Sequence, residues 1–287
     1  MQNWIYLNGT LVLGNEANIS PYDHGFLYGN GLFETMRAYN GKVFCRDEHL
    51  KRLERGGRIL GWPEWFDAES LSSAIDQTLE KNGIQDASVR LTVSRGAGAS
   101  QPDPSTCQHM TIVIFVSAIQ PLGDEVYEQG WHLVTARIQR NLTSPLCNIK
   151  GANYLDNILA KSEARQKGGN EALMLNTQGG VAEGTMCNVF FVAGGRLITP
   201  NRTSGLLPGI TRAAVLQLAR QAGMIVEERQ VYPNELLDIS EMFITSSLLE
   251  IMPITMLDQV IVGNGRPGKI TCLLQKEYKR MVKSCCS

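Results

Sequence analysis

A chain of 287 residues, 43% hydrophobic and 19% charged, can bury an ample core without disulfides and divides most naturally into two domains. Its net charge of −1 argues against nucleic acid or an anionic membrane as the main partner, and the apolar stretch 110–118 has the length of a strand, not of a membrane span. The seven cysteines show neither Cys-x-x-Cys nor a mixed Cys/His ligand spacing, so no metal centre is expected and free thiols in a reducing cytoplasm fit best.

The first residues lack a basic region followed by an apolar run, so no secretion signal is expected. Residues 4–7 and 11–13 flank Asn8-Gly9, a two-residue hairpin signal. A turn-rich loop from Ile19 runs into a strand that a second Asn-Gly, at 40–41, turns back into 42–44. Asp47 is placed to cap a helix that carries Leu50, Leu53 and Leu60 inward. A second helix, over 69–82, buries Leu71, Ile75 and Leu79 and stops at Gly83. Val89, Leu91 and Val93 alternate as in a half-buried strand, and 109–117 makes another. Between them, 96–107 is rich in Gly, Ala, Ser and Pro and reads as a mobile loop.

The stretch 118–128, with Pro121 and Gly123, is the expected boundary between a first domain over 1–120 and a second over 121–287. Beyond it, 131–138 reads as a strand leading to Lys150 and a helix, where Leu155, Ile158 and Leu159 stripe one face. Short strands follow at 172–175, 188–192 and 196–199, then a helix over 211–222 with Val215, Leu218, Ala219 and Ala222 on one face. Strands at 225–231, 242–245 and 254–262 precede a last helix carrying Leu274, Tyr278 and Met281. Strands and helices mix without strict alternation, which points to the α+β class and not to a doubly wound sheet.

Gly29-Asn-Gly-Leu-Phe-Glu is half of a dinucleotide fingerprint, but it precedes a strand where the fingerprint follows one, and that reading fails. The four histidines form no metal-binding pattern, His49 reads as structural, and there is no Gly-x-Ser-x-Gly elbow. Lys150 stands where a loop enters a helix, a place from which an amine can point into a cleft. Such an amine attacks a carbonyl only after losing its proton, which burial or a neighbouring cation favours. Leu207-Pro-Gly-Ile-Thr-Arg is a helix start with Thr211 as its cap, where the amides of Gly209, Ile210 and Thr211 converge on an anion. Glu183 lies between an apolar strand and a glycine turn, and Arg52 lies beside the inward Leu53. Taken singly, each of these is more readily a surface charge or a plain capped helix.

Taken together, six stretches in order carry a resemblance. They are Phe26-Leu-Tyr-Gly-Asn-Gly-Leu-Phe-Glu-Thr, His49-Leu-Lys-Arg-Leu, Lys150 with Asn153-Tyr154-Leu155, Ala182-Glu183-Gly184, Leu207-Pro-Gly-Ile-Thr-Arg and Ser246-Ser-Leu-Leu-Glu-Ile-Met-Pro. Over residues 5–281 the chain resembles the class IV, or fold type IV, pyridoxal-phosphate enzymes: branched-chain and D-amino-acid aminotransferases and aminodeoxychorismate lyase. The resemblance implies a small N-terminal α/β sandwich domain, a larger C-terminal pseudo-barrel domain, and a homodimer with the cofactor between the domains.

It also implies roles. Lys150 would hold pyridoxal 5'-phosphate and shuttle a proton between the substrate's α-carbon and the cofactor, and Glu183 would keep the ring nitrogen protonated so that the ring takes up electrons. Arg52 and the amides of Gly209, Ile210 and Thr211 would hold the phosphate, Tyr154 the ring's phenolic oxygen, and Ser246 and Ser247 a further phosphate or substrate contact. Phe33, Thr35 and Arg37 alternate along a strand and so share a face, which the resemblance turns toward the substrate together with Arg90 and Leu248.

Subfamily marks disagree. Ser100-Gln-Pro replaces the Arg-x-His of D-amino-acid aminotransferases, and Ser88-Val-Arg90 keeps the arginine but not the tyrosine of the branched-chain enzymes. Thr35 is lyase-like, whereas Ser246 and Leu207-Pro-Gly-Ile-Thr-Arg are aminotransferase-like. The expectation is amino transfer from a small aliphatic or branched-chain amino acid to a 2-oxo acid. The alternatives, in order, are release of pyruvate and 4-aminobenzoate from aminodeoxychorismate, D-amino-acid transfer, and a non-enzymatic scaffold.

Overall fold

The computed structural model describes residues 3–63 and 66–286, and the chain forms two compact units. The outer ends of the two expected domains, residues 1, 2 and 287, lie outside the described residues. The first unit gathers Met1–Gln120, Ile149–Asn153 and Ser284–Ser287; the second gathers Pro121–Asn148 and Tyr154–Lys283.

The first unit opens with the hairpin β1 (Trp4–Leu7) and β2 (Thr10–Leu13), turned by Asn8 at φ 48° and Gly9 at φ 98°. A short helix α1 (His24–Tyr28), absent from the sequence expectation, follows. Its cap Asp23 is buried and accepts from Gly25 N–H (2.7 Å), Ser94 Oγ (2.8 Å) and Thr111 Oγ1 (2.6 Å). Next come β3 (Gly31–Tyr39), β4 (Lys42–Val43), α2 (Arg46–Ile59), α3 (Ala68–Asn82), β5 (Ala87–Ser94) and β6 (Thr111–Ala118). They form one antiparallel sheet in the order β2-β1-β6-β5-β3-β4. Leu32, Met36, Val89, Leu91 and Val93 on the sheet meet Leu50, Leu53, Leu71, Ile75 and Leu79 on the two helices. Each such side chain removed from water contributes about 1.5–3 kcal/mol.

Asp47 is not the cap of α2. The cap position falls to Cys45 in the left-handed region (φ 52°), with no side-chain cap bond, and Asp47 stands in the first turn. Residues 96–107, expected as a loop, are tied by His24 Nε2 to Ala99 C=O (2.8 Å) and by Ala99 N–H to Thr106 Oγ1 (3.1 Å).

Ile149–Asn153, expected in the second domain, is stitched to β3. Phe33 N–H donates to Lys150 C=O (2.9 Å), Leu32 bridges Gly151, and Ala152 N–H donates to Gly31 C=O (2.8 Å). Gly31 allows this approach: a Cβ there would lie 3.3 Å from Ala152 Cβ and 3.1 Å from Val93 O.

The second unit contains α4 (Asp124–Gln129), β7 (Trp131–Thr135), α5 (Leu155–Gln166), β8 (Glu171–Leu175), β9 (Val181–Gly184), β10 (Asn188–Ala193) and β11 (Arg196–Pro200). It continues with α6 (Ile210–Gln221), β12 (Val226–Arg229), β13 (Glu241–Ser246), β14 (Glu250–Leu257), β15 (Val260–Ile261) and α7 (Lys269–Cys286). Its nine-stranded mixed sheet runs β12-β11-β10-β13-β14-β7-β8-β9, with β15 on β14. The single strand expected over 254–262 is instead a hairpin that begins at Glu250 and turns at Asp258 (φ 53°). Leu133, Leu173, Val189, Phe191, Met242, Ile244 and Met252 fill its core.

The apolar stripe of α5 faces the other way from the usual rule. Leu155, Ile158 and Leu159 are 64%, 57% and 49% exposed, while Asn157, Ala160, Glu163 and Ala164 form the buried side. Small residues are what β7 and β8 admit there: Ala160 and Ala164 pack with Val134, Ala172 and Met174. No helix among the described residues is long and apolar enough to cross a membrane.

Candidate active site

In the first unit, alternation along β3 separates two jobs. Leu32, Glu34, Met36 and Ala38 turn toward the helices, and Phe33, Thr35 and Arg37 toward the opposite face. Arg90 on β5 is paired with Thr35 on β3. Its Nη1 lies 3.4 Å from Thr35 Oγ1, its Nε donates to Thr92 Oγ1 (3.2 Å), and its guanidinium carbon sits 3.4 Å from the Phe33 ring centroid. Lys150 Nζ is 4.3 Å from the same centroid. Arg37 stacks its guanidinium 4.5 Å over Tyr39. Two cations on one aromatic ring gain from its quadrupole. Phe33, Thr35, Arg90 and Lys150 are therefore one cluster.

Arg52 is on the helix side of the same strand. Its Nε and Nη2 donate to the two oxygens of Glu34 (2.8 and 2.5 Å), and His49 Nδ1 donates to Glu34 Oε2 (2.7 Å). Burial alone would raise the Glu34 pKa. The Arg52 charge and the bonds from Arg52 and His49 outweigh burial and hold it at about 2. Burial lowers His49 from its usual range, with the charges of Arg52 and Lys150 adding to the effect, so its ring is neutral and Nδ1 carries the proton. His49 is a satisfied structural histidine, as its sequence setting suggests, whereas the role of Glu34 was not read from the sequence. Glu34 lies inside the strand pattern between Phe33 and Thr35, where a buried carboxylate has no local signal.

In the second unit Glu183, on β9, is only 5% exposed. Arg140 Nη2 stands 3.1 Å from its Oε1, and its Oε2 accepts from Leu207 N–H (3.0 Å) and Asn188 Nδ2 (3.3 Å). Arg140 also donates from Nε to Gly205 C=O (3.2 Å) and from Nη2 to Cys147 C=O (2.8 Å). Asn188 binds Leu207 C=O as well (2.8 Å), tying Glu183 to the loop that enters α6. Arg140 lies in an irregular polar stretch, and nothing in its sequence surroundings singled it out.

Tyr154 occupies the residue before α5 and donates its hydroxyl to Thr185 C=O (2.9 Å). Burial, then the Glu183 charge, pushes its phenol well above the usual range, so it stays protonated. Thr211 does not cap α6. The cap is Gly209, which has no side chain to offer, and Thr211 is buried within the first turn. That first turn holds no acidic residue, and its cap makes no side-chain hydrogen bond. A Cβ on Gly209 would come 1.9 Å from Asn188 Oδ1, so any side chain there would have to displace the carboxamide that binds Glu183. Ser246 ends β13 and accepts Leu249 N–H on its Oγ (3.2 Å), with Ser247 and Leu248 in the turn between. Thr245, opposite Asn188 across β10 and β13 and so on the same face, has a buried hydroxyl without a partner among the described residues.

The family model for amino-transferase class IV matches residues 31–257. The chain is 37% identical over 278 residues to a putative branched-chain-amino-acid aminotransferase of Methanocaldococcus jannaschii, covering 96% of this chain and 95% of that protein. It is 33% identical over 282 residues to an aminodeoxychorismate lyase of Bacillus subtilis, covering 98% and 95%. Among solved structures, a T.th. branched-chain amino acid aminotransferase with pyridoxamine 5'-phosphate matches with a TM-score of 0.94 at 30% identity, over 99% of this chain and 95% of that one.

Proposed function

The chain belongs to the class IV aminotransferases, pyridoxal-phosphate enzymes of fold type IV, and we propose that it moves the amino group of a small aliphatic or branched-chain amino acid to a 2-oxo acid. The observation that carries this reading is the Glu183 carboxylate. It is buried, compensated by Arg140 and aimed by Asn188 and Leu207 N–H, and a carboxylate so held is an acceptor suited to the N–H of a cationic ring.

The residues fit the cofactor. The uncapped start of α6 suits a phosphate dianion, the unpartnered Thr245 hydroxyl offers a further polar contact, and Glu183 suits a protonated ring nitrogen. When bound, pyridoxal phosphate supplies a carbonyl carbon for an amine and a ring that accepts the electrons of the broken Cα–H bond. Lys150 Nζ holds the cofactor and then carries the proton taken from the substrate's α-carbon. Arg52, kept in place by Glu34, and the amides of Gly209, Ile210 and Thr211 would bind the phosphate, and Ser246 and Ser247 would add a phosphate or substrate contact. Tyr154 orients the ring, while Phe33, Thr35, Arg37, Arg90 and Leu248 receive the substrate. An apolar donor side chain suits Phe33 and Leu248, and Arg90 suits its carboxylate.

A second reading, aminodeoxychorismate lyase, is favoured by one feature: the Thr35 hydroxyl in reach of Arg90, a polar pair on the substrate face. The Bacillus subtilis relative carries that name. One coupled assay separates the two. Amine transfer from leucine, isoleucine, valine or alanine of either hand to 2-oxoglutarate supports the first, and pyruvate release from aminodeoxychorismate without any transfer supports the second. Protein that stays colourless after incubation with pyridoxal phosphate sinks both.

The exposed stripe Leu155, Ile158 and Leu159, with Met186 also exposed, supports a homodimer that covers it. A shift to monomer on sedimentation of Leu155→Glu/Leu159→Glu is the expected result. The seven unpaired cysteines support a cytoplasmic setting.

A further inference from the structure

Glu171 opens β8 in the second unit and is 1% exposed. Such a group is costly unless its oxygens are fully met by donors. Here they are. Oε1 accepts Ala172 N–H (2.8 Å), Thr185 N–H (3.2 Å) and the Thr185 hydroxyl. Oε2 pairs with Lys161 Nζ (2.7 Å), whose ammonium also donates to Asn170 C=O (2.6 Å). Thr185 is thereby gripped at its backbone and its side chain. Its own carbonyl is the acceptor for Tyr154 O–H (2.9 Å) and Asn157 Nδ2 (2.7 Å). Thr185 lies two residues beyond Glu183, directly after β9.

We propose that Glu171 is a positioning residue for Tyr154: by clamping Thr185 it sets the carbonyl that takes the tyrosine proton, and so the direction in which the phenolic oxygen faces the cofactor. This rests on the reading of Tyr154 as a cofactor ligand. A phenol whose proton is committed to one carbonyl can only accept elsewhere, so it would take the proton of the ring's phenolic O–H, and the direction of that bond follows the carbonyl. The carboxylate is needed as such. A glutamine of the same shape turns one acceptor into an –NH2 facing the Lys161 ammonium, and the clamp must rearrange.

The test is a pH titration of the visible absorbance of bound pyridoxal phosphate in the holoenzyme, with cofactor content, kcat and KM measured alongside. Glu171→Gln is expected to move the absorbance midpoint by about half a unit or more. Cofactor content and KM stay near the parent, and kcat falls roughly tenfold, as for other supporting residues. Tyr154→Phe moves the midpoint too, and the double variant Glu171→Gln/Tyr154→Phe moves it no further than Tyr154→Phe alone. Thr185→Ser, which keeps both donors, holds the parental midpoint, and Thr185→Val shifts it as Glu171→Gln does. A shift in Tyr154→Phe without one in Glu171→Gln overturns the proposal by itself, as do shifts that add in the double variant. If Glu171→Gln does not fold, Thr185→Val decides in the same two ways. No shift in Tyr154→Phe removes the cofactor reading of Tyr154 and this proposal with it.

Discussion

Glu34 in the first unit and Glu183 in the second are both buried and both face an arginine, yet their surroundings differ. Glu34 receives the Nε and Nη2 fork of Arg52 and the His49 ring, all side chains packed between β3 and α2. Glu183 receives one edge of Arg140 at 3.1 Å, a carboxamide and a backbone N–H from the loop entering α6. The first arrangement is bidentate and closed, the geometry that best repays the burial of two charges. The second spreads its donors over a side chain, a carboxamide and a loop, and so ties the carboxylate to the start of a helix. The same residue type thus serves to hold an arginine in one place and to present an acceptor in the other.

The largest expected effect lies at the amine that both carboxylates would serve. Lys150→Ala, with both carboxylates intact, is expected to abolish borohydride-fixed cofactor and turnover; residual fixation would mean that another amine does the work. Glu183→Gln should keep its cofactor and lose roughly a hundredfold or more in kcat, the scale of removing one preorganised electrostatic partner. Parental kcat in that variant would erase the distinction between the two glutamates. Glu34→Gln leaves Arg52 buried without its counter-ion and should cost about 3 kcal/mol in denaturant unfolding, with kcat per folded, cofactor-bound enzyme falling less than in Glu183→Gln.

The smallest effect is a pH dependence. His49 and Glu34 both have lowered pKa values in the fold, so the unfolded chain binds more protons and stability falls with acid. The His49 part fades as pH drops below about 6.5, and the Glu34 part between 4.5 and about 2. A thermal midpoint a few degrees lower at about pH 5 than at about pH 7, with a smaller drop in His49→Asn, is the expected outcome. A flat profile would sink the charge assignment.

Local chemistry explains what could be read beforehand. The Asn-Gly turns at 8–9 and 40–41 need positive φ and have it, and the 89-91-93 alternation marks a strand whose three residues are wholly buried. Lys150, Glu183 and Arg52 stand out only through motif order, because each alone looks like a surface charge. Arg140, Asn188 and Thr245 escaped because their partners are distant in the chain and are joined only by the folded sheet. The caps expected at Asp47 and Thr211 failed for a related reason: at both helices the chain enters through a residue without a side-chain cap, Cys45 or Gly209. On α5 the period was right and the direction wrong. A repeat of three and four reports a face to be shielded from water, and is silent on whether the shield is the chain's own sheet.

Because the strap 149–153 is hydrogen-bonded to the first residues of β3, the backbone that carries Lys150 is anchored on the strand that carries Phe33 and Thr35. Specificity and chemistry are then not independent dials. Under the function proposed above, a change at Phe33 or Thr35 also disturbs the anchor of Lys150, so altering the preferred donor by substitutions on that strand would trade away rate.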